Sequence, residues 1–106
     1  MKGREPGRQT VGHSKLDPRY RYVRSIWIAG DLTSFIEIFN IVPRSIVATS
    51  LRLNYERFTK KILKPELLTF RDIRNLSHLT GIPFEALSGF VIAAINEQHS
   101  DKKTHP

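Results

Sequence analysis

Apolar residues recur every three or four positions through most of the chain between residues 19 and 98, a spacing typical of amphipathic α-helices. The pattern is most regular towards the end of this region, where one face is formed by Leu87, Phe90, Val91, Ala94 and Ile95. It is least decisive at RYRYV, residues 19–23, because alternation over so short a run also fits a strand. We favour a helix there, so every predicted element is helical.

Residues that favour helix ends divide this region into about five short helices. Ser34 and Glu37 have the spacing of a capping box, in which the serine and the glutamate satisfy exposed backbone N–H groups at a helix start. Pro43 is predicted as the first residue of the next helix, since its missing N–H costs nothing there. Asn54 is predicted as the N-cap of the following helix, which Pro65 ends.

A second set of end signals brackets the last two helices. Thr69 and Asp72 form another capping pair, and Gly81 is suited to the left-handed conformation that ends many helices. Pro83 then opens the last helix. In the helix between these signals, Phe70 is expected to face inward together with Ile73, Leu76 and Leu79.

Taken together, the inward faces predict a single core. In the helix after Ser34 the inward residues are Phe35, Ile38 and Phe39. The other expected core residues are Ala48, Leu51, Leu53, Phe58, Ile62, Ile73, Leu76, Leu87, Phe90 and Val91.

The predicted fold is therefore all-α, a compact bundle of about five short helices. Residues 1–18 lack periodicity and carry several Gly and Pro, which predicts a flexible, disordered basic arm. Residues 19–98 form the helical domain, and residues 99–106 are predicted to be a disordered tail.

The net charge of the chain indicates which class of partner it would bind. The chain of 106 residues carries a formal net charge of +7, with Lys and Arg concentrated in residues 1–24 and in residues 43–98. Such a balance favours a polyanion, with nucleic acid ahead of an anionic membrane. Cysteine is absent, so disulfides and thiolate metal sites are excluded, and a cytoplasmic location is expected. No signal peptide is visible, and the apolar run at residues 90–95 is too short to span a bilayer.

Two short helices with about three residues between them, followed by two more, is the order of a helix-turn-helix unit. The segment 43–87 resembles the Cro/repressor-like (Xre-type) helix-turn-helix family in Ala48, in LRL at 51–53, in Asn54 and Phe58, and in the stretch 69–87. The resemblance covers a little under half of the chain. It implies a helix-turn-helix fold and sequence-specific binding of double-stranded DNA by a bacterial or phage transcriptional regulator.

The resemblance also assigns roles to residues of the second helix and its surroundings. The positions implied to read bases are Tyr55, Glu56, Thr59 and Lys60, and those implied to contact phosphates are Arg44, Asn54, Arg57 and Lys61. The chain departs from the family at Arg52, where the family usually has glycine at the turn, and at Ser77, where a smaller alanine is common.

Other functions have less support. The four histidines show no ligand spacing, and no glycine-rich loop or nucleophile motif is present, so we expect no metal, no cofactor and no enzymatic activity. One alternative is a degenerate helix-turn-helix scaffold that serves as an antitoxin-like or adaptor module for protein interaction. An exposed apolar patch around Trp27, or around Phe90, Val91 and Ile95, would favour it, or would serve a homodimer on a palindromic operator. A third reading is nonspecific binding of RNA or of nucleoid DNA.

Overall fold

A computed structural model of the protein describes residues 16–104, with side chains described up to residue 99, and all regular elements in that range are helical. The predicted all-α class is therefore confirmed. The helices are α1 (Arg19–Ile28), α2 (Phe35–Ile41), α3 (Arg44–Leu51), α4 (Tyr55–Leu63), α5 (Phe70–Thr80) and α6 (Phe84–Thr104), with a 3₁₀ turn (Pro65–Leu67) between α4 and α5.

The structure bears on three predictions about the type and the ends of the helices. The RYRYV stretch lies in a helix, α1, and not in a strand. The last helix, α6, runs for 21 residues and enters the range expected to be a tail. The predicted arm falls mostly on residues 1–15, which lie outside the described residues, so the domain boundaries themselves remain predictions.

Among the described residues, no single helix is long and apolar enough to cross a bilayer. Only α5 and α6 taken together have sufficient length and apolar character, and a bend of 120° separates them.

The helix ends follow the sequence signals closely, with two corrections. Asn54 and Thr69 cap α4 and α5 as predicted, and Thr69 with Asp72 forms a complete capping box. Ser34 makes no side-chain capping hydrogen bond, and the Glu37 carboxylate accepts the Thr33 N–H at 2.8 Å. Pro43 is the N-cap of α3 and not its first helical residue.

Glycine at position 81 serves two purposes at the end of α5. It adopts φ 78°, a left-handed conformation, and its N–H donates to the Ser77 carbonyl at 2.8 Å. A β-carbon at this position would lie 2.5 Å from Cδ of Arg24, so the α1 side chain packs directly over the glycine. Gly81 therefore turns the chain into α6 and also lets α1 approach α5.

One core holds the described helices together. The predicted core residues Ala48, Phe58, Ile62, Ile73, Leu76, Leu87 and Val91 are buried, and Leu51, Leu53 and Phe90 pack against them while partly exposed. The core also contains Leu32, Val42 and Ile82, which lie between helices and carry no helical periodicity. Tyr20 connects α1 to α3, since its hydroxyl donates to Ser50 Oγ at 2.9 Å.

Phe70 was expected inside and is 81% exposed. The buried face of α5 contains Asp72, Ile73, Leu76 and Thr80. Because a helical residue advances by about 100°, Phe70 lies about 60° beyond Ile73, past the edge of that face. Its ring rests instead on Phe84 of α6.

Candidate nucleic-acid interface

The turn between α3 and α4 is built around Arg52. This residue adopts φ 59° and ψ 40°, the only left-handed residue other than glycine within residues 16–104. The Arg52 N–H donates to the Thr49 carbonyl at 3.1 Å, and the Leu53 N–H donates to the Ala48 carbonyl at 2.9 Å. These two bonds form a Schellman motif, which reverses the chain sharply after α3 and brings α4 against it.

Arg52→Gly should therefore stabilise the protein. A β-carbon in the left-handed region destabilises the fold by about 1–2 kcal/mol. Glycine removes this strain, but its greater freedom in the unfolded chain offsets part of the gain. We expect the free energy of unfolding to rise by about 0.5–1 kcal/mol. Urea unfolding followed by circular dichroism measures it, with Arg52→Ala as the matched control that removes the guanidinium but keeps the strain. Equal stability of the two variants would contradict the expectation.

Helix α4 has one face in the core and one face in solvent. Phe58 is 0% exposed and Ile62 is 2% exposed, and the Phe58 ring meets Phe39 of α2 edge to face at a centroid distance of 5.7 Å. At the start of α4, Asn54 Oδ1 accepts the Arg57 N–H at 3.0 Å. The helix is therefore fixed in rotation by its core residues and fixed at its start by a cap.

The residues assigned to base reading divide between these two faces. Tyr55, Glu56 and Lys60 are exposed, and Lys60 lies almost opposite the buried Phe58–Ile62 edge. Thr59 is only partly exposed, and its hydroxyl is buried with no hydrogen-bond partner among the described residues. The structure thus brings three of the four side chains to the solvent face of α4 and turns the fourth towards the core.

The residues assigned to phosphate contact are more scattered. Arg57 is exposed beside Lys60, and together with Lys61 and Leu67 the two line a shallow groove. Asn54 already uses its side-chain oxygen as the helix cap. Arg44 lines a different groove, at the other end of α3 from the turn. Their roles on DNA stay predictions.

Lys61 has a structural partner. Its ammonium lies 2.7 Å from Asp72 Oδ2 of α5, with the side chains only 21% and 12% exposed. Burial of Asp72 opposes ionisation, but the Lys61 ammonium and the Thr69 N–H outweigh it, and the pKa of Asp72 lies below its usual value. A phosphate contacting Lys61 would have to share the ammonium with this carboxylate.

Acid should lower the stability of the folded protein by protonating Asp72. Because the pKa of Asp72 is lowered by folding, its ionised form stabilises the protein above the usual aspartate pKa, about 3.9. That contribution is lost as the pH falls through the lower folded value. Thermal melts between pH 6 and about pH 2 should show a shallower decline for Asp72→Asn than for the parent. Exposed Asp31→Asn is the control, and a slope for Asp72→Asn as steep as that of Asp31→Asn would contradict the assignment.

Two further residues lie on this side of α4, outside the positions assigned to bases or phosphates. Lys64 is exposed and follows Arg57 and Lys60 at helical spacing, so it extends the cationic side of α4. Leu63 is 59% exposed next to Lys60, and its carbonyl accepts a hydrogen bond from Gln98 Nε2 of α6 at 2.8 Å. The sequence already groups Lys64 with Lys60 and Lys61, whereas the Gln98 contact has no signal in the sequence.

Comparison of the chain with protein-family models, with curated proteins and with solved structures gives no match. The candidate site therefore rests on its own geometry and chemistry.

Proposed function

We propose that this protein binds double-stranded DNA in a sequence-specific manner, with α3 and α4 as a helix-turn-helix. The observation that carries the proposal is the left-handed Schellman turn at Arg52, which holds α4 across α3 with its polar face in solvent. In a helix-turn-helix, the second helix enters the major groove and presents the side chains near its N-terminus to base edges. Here those side chains are Tyr55 and Glu56, followed by Lys60 one turn later.

The chemistry of the exposed face suits base edges. A lysine ammonium donates to O6 and N7 of guanine, and a carboxylate accepts from N4 of cytosine. Both side chains are exposed, and neither Glu56 nor Lys60 has an ion-pair partner among the residues whose side chains are described. Glu56 also disfavours nonspecific binding, since DNA repels a carboxylate in the groove unless a base donates a hydrogen bond to it.

Phosphate contacts would come from the cationic side of the same helix. Arg57 and Lys64 flank Lys60 on the exposed side of α4, and the net charge of +7 adds a general attraction to DNA. A cytoplasmic regulator of transcription, of bacterial or phage type, is the role that fits such a module. A homodimer would place two α4 helices on a palindromic site.

Selection from a pool of random duplexes, followed by affinity measurements over a salt series, tests the proposal. We expect one enriched motif and a log–log salt slope of about −0.9 per phosphate contact. Removal of residues 1–15, which spares the Asp17 carbonyl that accepts the Tyr20 N–H at 3.1 Å, should flatten the slope and weaken all duplexes alike. Binding with no enriched motif would instead support nonspecific binding, and no binding at low salt would refute the proposal.

The competing interaction-module reading depends on the apolar surfaces around Trp27 and around Phe90. Val91 is buried, whereas Trp27, Phe90 and Ile95 pack against the core while partly exposed. Phe90 also lines a groove with Ile36, which is 47% exposed. An exposed aromatic pair does occur elsewhere, on α5 and α6.

A further inference from the structure

The first turn of α5 carries an aromatic ring that folding does not bury. Phe70 is 81% exposed, the highest value among the large exposed apolar residues of the described chain. Its ring meets that of Phe84, itself 38% exposed, at a centroid distance of 6.4 Å and an interplanar angle of 66°. Aromatic pairs favour this edge-to-face arrangement. The two rings together form a small apolar platform in solvent.

Positive charge lies beside this platform. Arg71 and Arg74 are both exposed on α5, and Arg74 is one turn from Phe70 on the same side of the helix. Neither guanidinium has a carboxylate within ion-pair distance among the residues whose side chains are described. Asp72, the acid between them, points the other way, into its ion pair with Lys61. The outer face of α5 thus combines an apolar platform with two available cations.

We infer that this face is a docking site for an acidic protein segment that carries an apolar side chain. Charge complementarity selects the acids, which would pair with Arg71 and Arg74. The aromatic platform selects the apolar side chain, and aromatic residues and arginine are the types enriched at the centres of protein interfaces. A duplex offers phosphates to the arginines, but it gives an exposed phenyl ring on a convex helix little to bury against. An acidic amphipathic segment satisfies both features.

The start of α5 is rigid enough to serve as such a site. The capping box of Thr69 and Asp72 fixes the first turn, with hydrogen bonds of 3.0 Å in both directions. Lys61 anchors the same turn to α4. A partner would therefore meet Phe70 in a preformed position and would lose little ordering entropy in the protein.

A short fluorescein-labelled peptide in which Asp and Glu alternate with Leu and Trp is a suitable probe, with fluorescence anisotropy as the measurement. We expect the full chain to bind it at low salt, and Phe70→Ala to weaken binding about tenfold, as expected for a central interface residue. The double variant Arg71→Ala, Arg74→Ala should weaken binding and reduce its salt dependence. Ile28→Ala, which removes an apolar side chain that is 60% exposed at the end of α1, is the matched control and should bind as the parent does.

Three results would overturn the inference. They are failure of the parent to bind the probe, equal affinity for a probe whose Leu and Trp are replaced by Ser, and unchanged binding by Phe70→Ala. A random-sequence duplex measured in parallel separates this face from the proposed DNA site. If Phe70→Ala weakens duplex binding as much as peptide binding, the face belongs to a nucleic-acid interface and the inference fails. Loss of duplex binding by Lys60→Ala with peptide binding retained supports two separate sites.

Discussion

Phe58→Ala should destabilise the protein by about 3–5 kcal/mol, the cost of removing a large side chain from a packed core. The Phe58 side chain is completely buried, and its ring packs edge to face against Phe39. It also sets the rotation of α4, so its loss would free the helix that carries the proposed reading face. For a domain of this size the loss is a large fraction of the total stability.

The chain supplies a matched control for this change. Phe70→Ala removes the same atoms from a side chain that is 81% exposed, and we expect it to cost less than about 1 kcal/mol. Thermal and urea unfolding, followed by circular dichroism, give both values. A Phe58→Ala protein as stable as Phe70→Ala would show that α4 does not pack as described.

The contrast between Phe58 and Phe70 also shows what the sequence can predict. Phe58 is followed four residues later by Ile62, and the two define a buried edge that helical spacing reveals. Phe70 stands three positions before Ile73 and so fits the same spacing, but it lies about 60° beyond Ile73, past the edge of the buried face. Spacing shows that a side chain lies near a face, while the packing of the neighbouring helices decides where that face ends.

Helix caps were predictable from the sequence where only one residue near the helix start is suited to accept the exposed backbone N–H groups. Asn54 and Thr69 cap their helices as expected, because each is the residue best suited to its helix start. Ser34 follows Thr33, and the Glu37 carboxylate accepts hydrogen bonds from both the N–H and the hydroxyl of Thr33. Two adjacent candidates compete for one carboxylate there, and spacing cannot choose between them.

Long-range contacts were the hardest to foresee. Leu32, Val42 and Ile82 are buried between helices, where no periodicity exists to reveal them. In the candidate site, Lys60 and Lys61 are neighbours of the same chemical type, yet one is exposed and the other is paired with Asp72. That pairing joins residues eleven positions apart through the packing of α5 near α4. The sequence alone predicts that both lysines contact DNA, and only the fold shows that Lys61 is already paired with Asp72.

This separation gives the last prediction, which concerns how the two lysines act on DNA. Lys60→Ala should reduce the preference for the selected duplex over a scrambled one by about 5- to 150-fold, equivalent to the 1–3 kcal/mol of a good base contact. The reason is that the Lys60 ammonium faces solvent on α4 and can reach a guanine edge, a contact that depends on the base. Affinity for the scrambled duplex should fall far less, because only one charge is lost.

Lys61→Ala is the matched control, since it removes the same side chain one position along the chain. It leaves the Asp72 carboxylate without its ammonium partner in a site where little water reaches, so the main effect should be on folding, about 1–3 kcal/mol. The ratio of the two duplex affinities should stay that of the parent. Competition binding of labelled duplexes gives that ratio, and thermal unfolding gives the stability of each variant. If Lys61→Ala changes the ratio and Lys60→Ala does not, the reading face of α4 is turned towards α5, and the orientation proposed for the helix in the major groove is wrong.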